Sequence, residues 1–245
     1  MILMGINWND VYVWTVIALS IMAAGGMALF GVEKTLPTIL VAVLTALMLD
    51  ILIGKFRKKN FKFPYSAVIS GLIVGSIVSF ESPLYVPFLA ATVAIISKHA
   101  LKYKIFHIFN PAALGLLVSF IVFSKSDSWW ATVPMLMPFL LIIAWKIKKL
   151  HIALSFLIVF VVLTYFTDNI RLQSFGDLLG LPFYFAAIMA VEPKTTPVAR
   201  SQQILFGVSL SVLLFLLAFV ARIPYALFIS LLAMNLVYFL YRIRR

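Results

Sequence analysis

Ten apolar runs follow one another along this chain, divided by charge clusters and turn residues: Val11–Gly31, Leu36–Ile53, Pro64–Phe80, Leu84–Ser97, Pro111–Phe123, Trp129–Trp145, Ile152–Tyr165, Leu178–Val191, Ile204–Val220 and Pro224–Tyr241. A helical crossing of the hydrocarbon core takes about 20 apolar residues. The pattern therefore predicts an all-α polytopic membrane protein with about ten transmembrane helices. Leu84–Ser97, Pro111–Phe123 and Leu178–Val191 are short for a crossing. They are expected to be tilted, broken or re-entrant, which a bilayer tolerates only where protein or a water-filled cavity covers the backbone.

The basic residues sort cleanly when the N-terminus is placed in the cytoplasm and the spans alternate. Lys55, Arg57, Lys58, Lys59, Lys62, Lys98, Lys102, Lys104, Lys146, Lys148, Lys149, Lys194, Arg200, Arg242, Arg244 and Arg245 then fall inside. Only Lys34, Lys125, Arg171 and Arg222 fall outside, together with Glu33, Glu81, Asp127, Asp168 and Asp177. An even number of spans with both termini cytoplasmic is expected, in the inner (cytoplasmic) membrane. The runs also repeat as a long hairpin, a short pair and a final span. An odd number of spans per half turns the halves over, so residues 1–125 and 126–245 read as two inverted five-helix repeats. The short, Pro/Gly-interrupted stretches Ser66–Gly115 and Phe175–Gly207 then point to a central site.

Composition narrows the chemistry. The 245 residues are 64% hydrophobic and 11% charged, against roughly 25% charged in soluble domains. The formal charge of +12 lies between apolar runs, where it serves an anionic leaflet rather than nucleic acid. No cysteine is present, which excludes disulfides, thiolate metal sites, iron–sulfur ligation and cysteine nucleophiles within this chain. Met1–Asp10 lacks a basic start and a small-residue cleavage site, so a cleaved signal peptide is not expected.

Two polar stretches stand out. In the first, a basic and aromatic connection from Lys98 to Phe109 enters a helix through Asn110-Pro111. Asn110 suits the cap and Pro111 the first turn, and such a helix start favours an electron-rich ligand. A plain interfacial cap accounts for the same residues. The second, Glu192-Pro193-Lys194-Thr195-Thr196-Pro197 onward to Arg200 and Gln203, offers hydroxyls, amides and a guanidinium. It fits either a polar ligand or a hydrated loop. Asp50, beside hydrocarbon at the end of the second span, is a candidate for an ion path; a helix-end acid near Lys55 is the alternative. His99, His107 and His151 all sit at span ends, which disfavours a membrane haem.

These stretches resemble the RnfD/NqrB family, the membrane proteins RnfD of the Rnf ferredoxin–NAD electron-transport complex and NqrB of the sodium-translocating NADH–quinone reductase. Lys98 with Phe109-Asn110-Pro111-Ala112-Ala113-Leu114-Gly115 carries the likeness, with Leu150-His151-Ile152-Ala153-Leu154-Ser155-Phe156 and Glu192-Pro193-Lys194-Thr195-Thr196. Gln203-Ile204-Leu205-Phe206-Gly207, Tyr65-Ser66-Ala67-Val68-Ile69-Ser70-Gly71-Leu72 and Asn235 add to it in the right order. The resemblance implies a urea-transporter-like inverted-repeat fold and a membrane component of a flavin-dependent electron-transport system, coupled in the family to cation movement. As part of an oxidoreductase or translocase it would need no covalent catalysis by side chains.

The resemblance also implies flavin, FMN or riboflavin, held non-covalently by Lys98, Asn110, Pro111, Glu192, Thr195, Thr196 and Arg200. The family's covalent FMN sits in an insertion between the fifth and sixth spans, where this chain has only Ser124-Lys125-Ser126-Asp127-Ser128. Thr132 is the nearest echo of the attachment threonine. The family's terminal Pro-Leu-Ile-Asp is replaced by Tyr238-Phe239-Leu240-Tyr241. Lipid and other redox subunits, of flavoprotein or ferredoxin type, are the expected partners, with homo-oligomerisation open. The alternative function is a channel or transporter for a small neutral solute or a flavin-like vitamin.

Overall fold

A computed structural model describes residues 10–58, 63–165 and 180–244. Every apolar run yields a helix among them. In the first half these are α1 Val11–Phe30, α2 Val32–Phe56, α3 Tyr65–Ile77, α4 Tyr85–Ala100 and α5 Pro111–Phe123. In the second they are α6 Met137–Lys146, α7 Leu150–Tyr165, α8 Leu181–Tyr184, α9 Arg200–Phe215 and α10 Ala226–Ile243. Two of them run on as π-helical turns, α8 through Phe185–Met189 and α9 through Leu216–Val220. A small hairpin, β1 Lys102–Tyr103 with β2 Phe106–His107, joins α4 to α5. Lys59, Lys62, Asp168, Arg171, Asp177, Arg245 and the start of the run at Leu178 lie outside the described residues. The protein is an all-α polytopic membrane protein.

Among the described helices, α1, α2, α9 with its π turn, and α10 are long and apolar enough to cross a membrane alone. The others are shorter. α3 and α5 have 13 residues each, or about 20 Å of helix against about 30 Å of hydrocarbon. Two expected spans are trimmed for identifiable reasons. α3 stops at Ile77 instead of reaching Phe80, because Val78 turns extended and bridges to Asp127. The Ile77 carbonyl left over accepts from Ser128 N at 2.8 Å. The run from Trp129 does not start as a helix: Trp129 has φ +49, and helical structure begins only in the 3₁₀ turn Pro134–Leu136. A proline without an N–H fits a first turn. The preceding Trp130 sends its indole N–H to the carbonyls of Gly75 and Val78, 3.0 and 3.1 Å away.

Packing follows one scheme in both halves. α2 packs on α3 and α4, and α4 on α5; α7 packs on α8 and α9, and α9 on α10. Between the halves, α1 meets α6 and α5 meets α10. Both pairs are antiparallel. Trp14 near the start of α1 meets Lys146 at the end of α6, while Gly25 farther along α1 lies against Val133 and Leu136. Likewise Asn110 at the start of α5 bonds Asn235 late in α10, and Phe120 packs on Tyr225 and Phe228 where α10 begins. Tyr184, Phe120, Phe156, Phe185 and Phe228 are the bulkiest fully buried side chains.

Close approach depends on glycine at several crossings, and two of them meet a backbone carbonyl most closely. A Cβ on Gly115 would stand 2.1 Å from the Ala90 carbonyl oxygen, and one on Gly207 would stand 2.6 Å from that of Ile152. Backbone there has no room to yield. Gly115→Ala is expected to separate α5 from α4 at a cost of about 3 kcal/mol or more, at the upper end for overpacking. Gly54→Ala, where an added Cβ meets nothing within 4 Å, should be neutral or gain up to about 1 kcal/mol. Thermal unfolding of both variants in detergent checks the contrast; equal melting would remove the crossing from the argument.

Candidate functional site

α5 begins as its sequence predicts. Asn110 is the N-cap, with Oδ1 accepting from Ala113 N at 3.0 Å, and Pro111 occupies the first turn. The rest of Asn110 reaches outward. Its Nδ2 donates to the Met189 carbonyl at 2.9 Å, where the π turn after α8 ends, and its backbone N donates to Asn235 Oδ1 at 2.9 Å. One buried residue thus joins α5, α8 and α10. The Asn235 Nδ2 beside it is buried with no partner among the described residues.

A cavity of about 90 Å³ opens at this end of the bundle. Lys98, His107, Asn110, Glu192 and Lys194 give it polar groups, and Ile69, Ile73, Ile143 and Ile188 give it apolar walls. Lys98, at the buried end of α4, donates to Asp50 Oδ1 at 2.9 Å. His99 Nε2 lies 2.8 Å from the same oxygen. Asp50 is therefore paired with α4 rather than with Lys55. Across the cavity His107 Nδ1 lies 3.0 Å from Glu192 Oε1, tying the β2 strand to the α8–α9 connection. That connection folds on Glu192, whose carbonyl accepts from the hydroxyls of Thr195 and Thr196 at 3.3 and 2.7 Å. Lys149, nearly buried, donates to the carbonyls of Thr196 and Pro197.

The structure thus gathers Lys98, Asn110, Pro111 and Glu192 around one cavity and places Asp50 one ion pair behind it. Thr195 and Thr196 support the cavity from within their turn and do not line it. Arg200 is exposed at the start of α9. Thr132 lies at the opposite end of the bundle, its hydroxyl donating to the Trp129 carbonyl at 2.7 Å. Tyr12, Ser66, Ser70 and Lys194 also line the cavity, and sequence reasoning gives them no role there. A signal exists for Ser66 and Ser70, whose spacing of four puts them on one helix face. His107 is weighed in the sequence as a haem ligand, and its place at a span end disfavours that role.

At the far end the bundle is closed by aromatic rings. Trp129 stacks on Phe228 with centroids 6.0 Å apart and meets Tyr184 edge-on, and Trp130 meets Phe80. Fold and site together define a polytopic membrane protein with a cation-bearing cavity toward one end of the bundle, where its two sets of helices meet. Residues 2–135 match the NQR2, RnfD, RnfE family. The chain belongs to that family, and so to the membrane subunits of multisubunit electron-transport complexes of the sodium-translocating NADH–quinone reductase and Rnf type. The matched stretch carries Asp50, Lys98, Asn110, Pro111 and Thr132; Glu192, Thr195, Thr196 and Arg200 lie beyond it. No curated protein matches the chain.

Asn110→Ala removes the cap and leaves the Met189 carbonyl without its donor, so a loss of about 2–4 kcal/mol is expected. Asn110→Asp keeps the cap acceptor and should lose less; melting of the two variants orders them. Lys149 gives a pH test. Burial, and after it the charge of Arg242, lowers its pKa from 10.5 to about 8. Between these values the unfolded chain binds more protons than the folded one, so this lysine makes stability rise with pH from about 8 to about 10.5. Lys149→Met should flatten that rise in a series of melts across the interval; an unchanged slope would show that the ammonium is not buried.

Proposed function

We propose that the protein is a flavin-binding subunit of a membrane electron-transport complex, in the inner membrane with the cavity end cytoplasmic. The cavity carries the reading: it joins a buried lysine, a cap asparagine and apolar walls at the meeting of two antiparallel helix pairs. The antiparallel pairing of α1 with α6 and α5 with α10 supports taking residues 1–125 and 126–245 as inverted repeats. In the described residues, Lys98, Lys102, Lys104, Lys146, Lys148, Lys149, Lys194 and Arg200 gather at the cavity end, which supports the orientation.

The residues fit the polar edge of a flavin. Its pyrimidine dione needs donors beside flat apolar walls, and Lys98 retains N–H groups beyond the one given to Asp50. The cavity volume admits that edge, while drug-sized ligands take about 300 Å³ or more, so the α8–α9 connection or Tyr12 must give way for the rest. A bound flavin would supply the electron-transfer chemistry. Lys98 would hold positive charge beside the ring edge and favour its reduced, anionic form. Glu192 keeps His107 oriented, and Thr195 and Thr196 hold Glu192 in place. Asp50 balances Lys98 while the flavin is oxidised, so uptake of an electron would leave a net negative charge there, and cation coupling would begin at this pair. Partner redox subunits would exchange electrons at the cytoplasmic face.

A solute channel is less well supported, because Trp129, Trp130, Tyr184 and Phe228 fill the end opposite the cavity. The test is spectroscopic. Protein purified in mild detergent should absorb in the blue, and acid precipitation should leave the yellow colour in solution. Colour kept in the pellet would mean a covalent bond and point to Thr132. A colourless preparation that makes liposomes solute-permeable would overturn the redox reading. Lys98→Gln should weaken flavin retention and lower the potential of what remains, by on the order of 30 mV or more; potentiometry on the retained flavin reads it.

A further inference from the structure

Near Gly25, α1 packs closely on the segment that leads into α6. Val133 Cγ2 and Leu136 Cδ1 both stand 3.1 Å from where a Cβ on Gly25 would be. From there toward Trp14 a groove of about 280 Å³ runs between α1 and α6. Ile17 and Ile21 line it from α1, Phe139, Leu140 and Ile142 from α6, and Leu136 from the turn before it. Ile21, Phe139 and Ile142 remain 52%, 62% and 49% exposed, so nothing in the described part of this chain covers them. At the open mouth Lys146 holds its ammonium 4.2 Å from the centroid of the Trp14 ring. Lys148 follows two residues on. The groove is separate from the polar cavity; Ile143 forms a wall of both.

We propose that this groove is a binding site for one anionic phospholipid, with an acyl chain lying between α1 and α6 and the phosphate on Lys146. Three observations select that occupant. First, the groove ends at the close contact beside Gly25. From Trp14 to the contact at Gly25 is about 16 Å of helix, or half of the roughly 30 Å hydrocarbon thickness. That is the depth of one leaflet, and a membrane-crossing partner helix could not pass the closed end. Second, the lining is apolar along its whole length, as an acyl chain requires. Third, the mouth carries an indole beneath an exposed ammonium. Tryptophan favours the headgroup level, and a lysine there attracts an anionic headgroup.

The test uses the full-length protein in mild detergent. It is titrated with phosphatidylglycerol or with phosphatidylcholine of the same chains, and retained lipid is counted by native mass spectrometry. One phosphatidylglycerol should be held about fivefold more tightly than phosphatidylcholine, as one interfacial lysine implies. Lys146→Gln should abolish that preference while phosphatidylcholine binding persists. Ile142→Trp fills the groove from its rim and should release both lipids from a protein that stays monodisperse. Ile21→Trp does the same from the other wall, should the first variant fail to fold. Equal retention of the two lipids by the wild type would overturn the proposal, as would undiminished retention in the filled groove. So would displacement of phosphatidylglycerol by a neutral prenyl lipid, or dimerisation through the groove.

Discussion

Backbone that stops being helical inside a membrane protein still needs hydrogen-bond partners, because hydrocarbon offers none. The described part of this chain meets that demand with side chains brought from other helices. Asn110 is the centre of the scheme: its cap oxygen, its amide nitrogen and its backbone nitrogen each serve a different element. Trp130 performs the same service where α3 ends, and Ser128 takes the Ile77 carbonyl. Lys149 and Gln203 hold the carbonyls of the connection between α8 and α9 and of the turn before α7. The short helices are stable because of these bonds, and several of the bonds run from one half of the chain to the other.

The cavity follows from the same constraint. Where α5 starts and the π turn after α8 ends, two interrupted elements meet end to side, and close packing leaves a space rimmed by polar groups. Charges placed there cannot remain single in a medium of low dielectric. Asp50 therefore neutralises Lys98, and Glu192 partners His107. A site built this way holds paired charges beside apolar walls. At the opposite end Trp129, Trp130, Tyr184 and Phe228 pack against one another and their neighbours.

Much of the architecture was legible in the sequence because it is local. Apolar runs report burial in hydrocarbon, and all ten yielded helices. Asn110-Pro111 reported its own cap, since the oxygen and the amide it serves are three residues apart. The short elements at Pro111–Phe123 and before Glu192 were also readable from length and proline. Where local reading failed, a distant partner had intervened. Trp129 promised a helix, but the segment instead turns to meet α3 and Tyr184. Asp50 suggested Lys55 as its neighbour, yet its partners lie on α4.

The sequence alone determined the medium, the succession of apolar helices, the cap of α5 and the family likeness carried by collinear motifs. Each of these depends on residues a few positions apart or on summed hydrophobicity. Tertiary structure decided which polar groups meet: Asp50 with Lys98 across 48 residues, His107 with Glu192 across 85, and Asn110 with Asn235 across 125. It also set Thr132 and Arg200 apart from the cavity and opened an apolar groove between α1 and α6. No local pattern encodes such pairs, because hydrogen bonds and ion pairs depend on distance in space. Distance in space is fixed only when the helices pack.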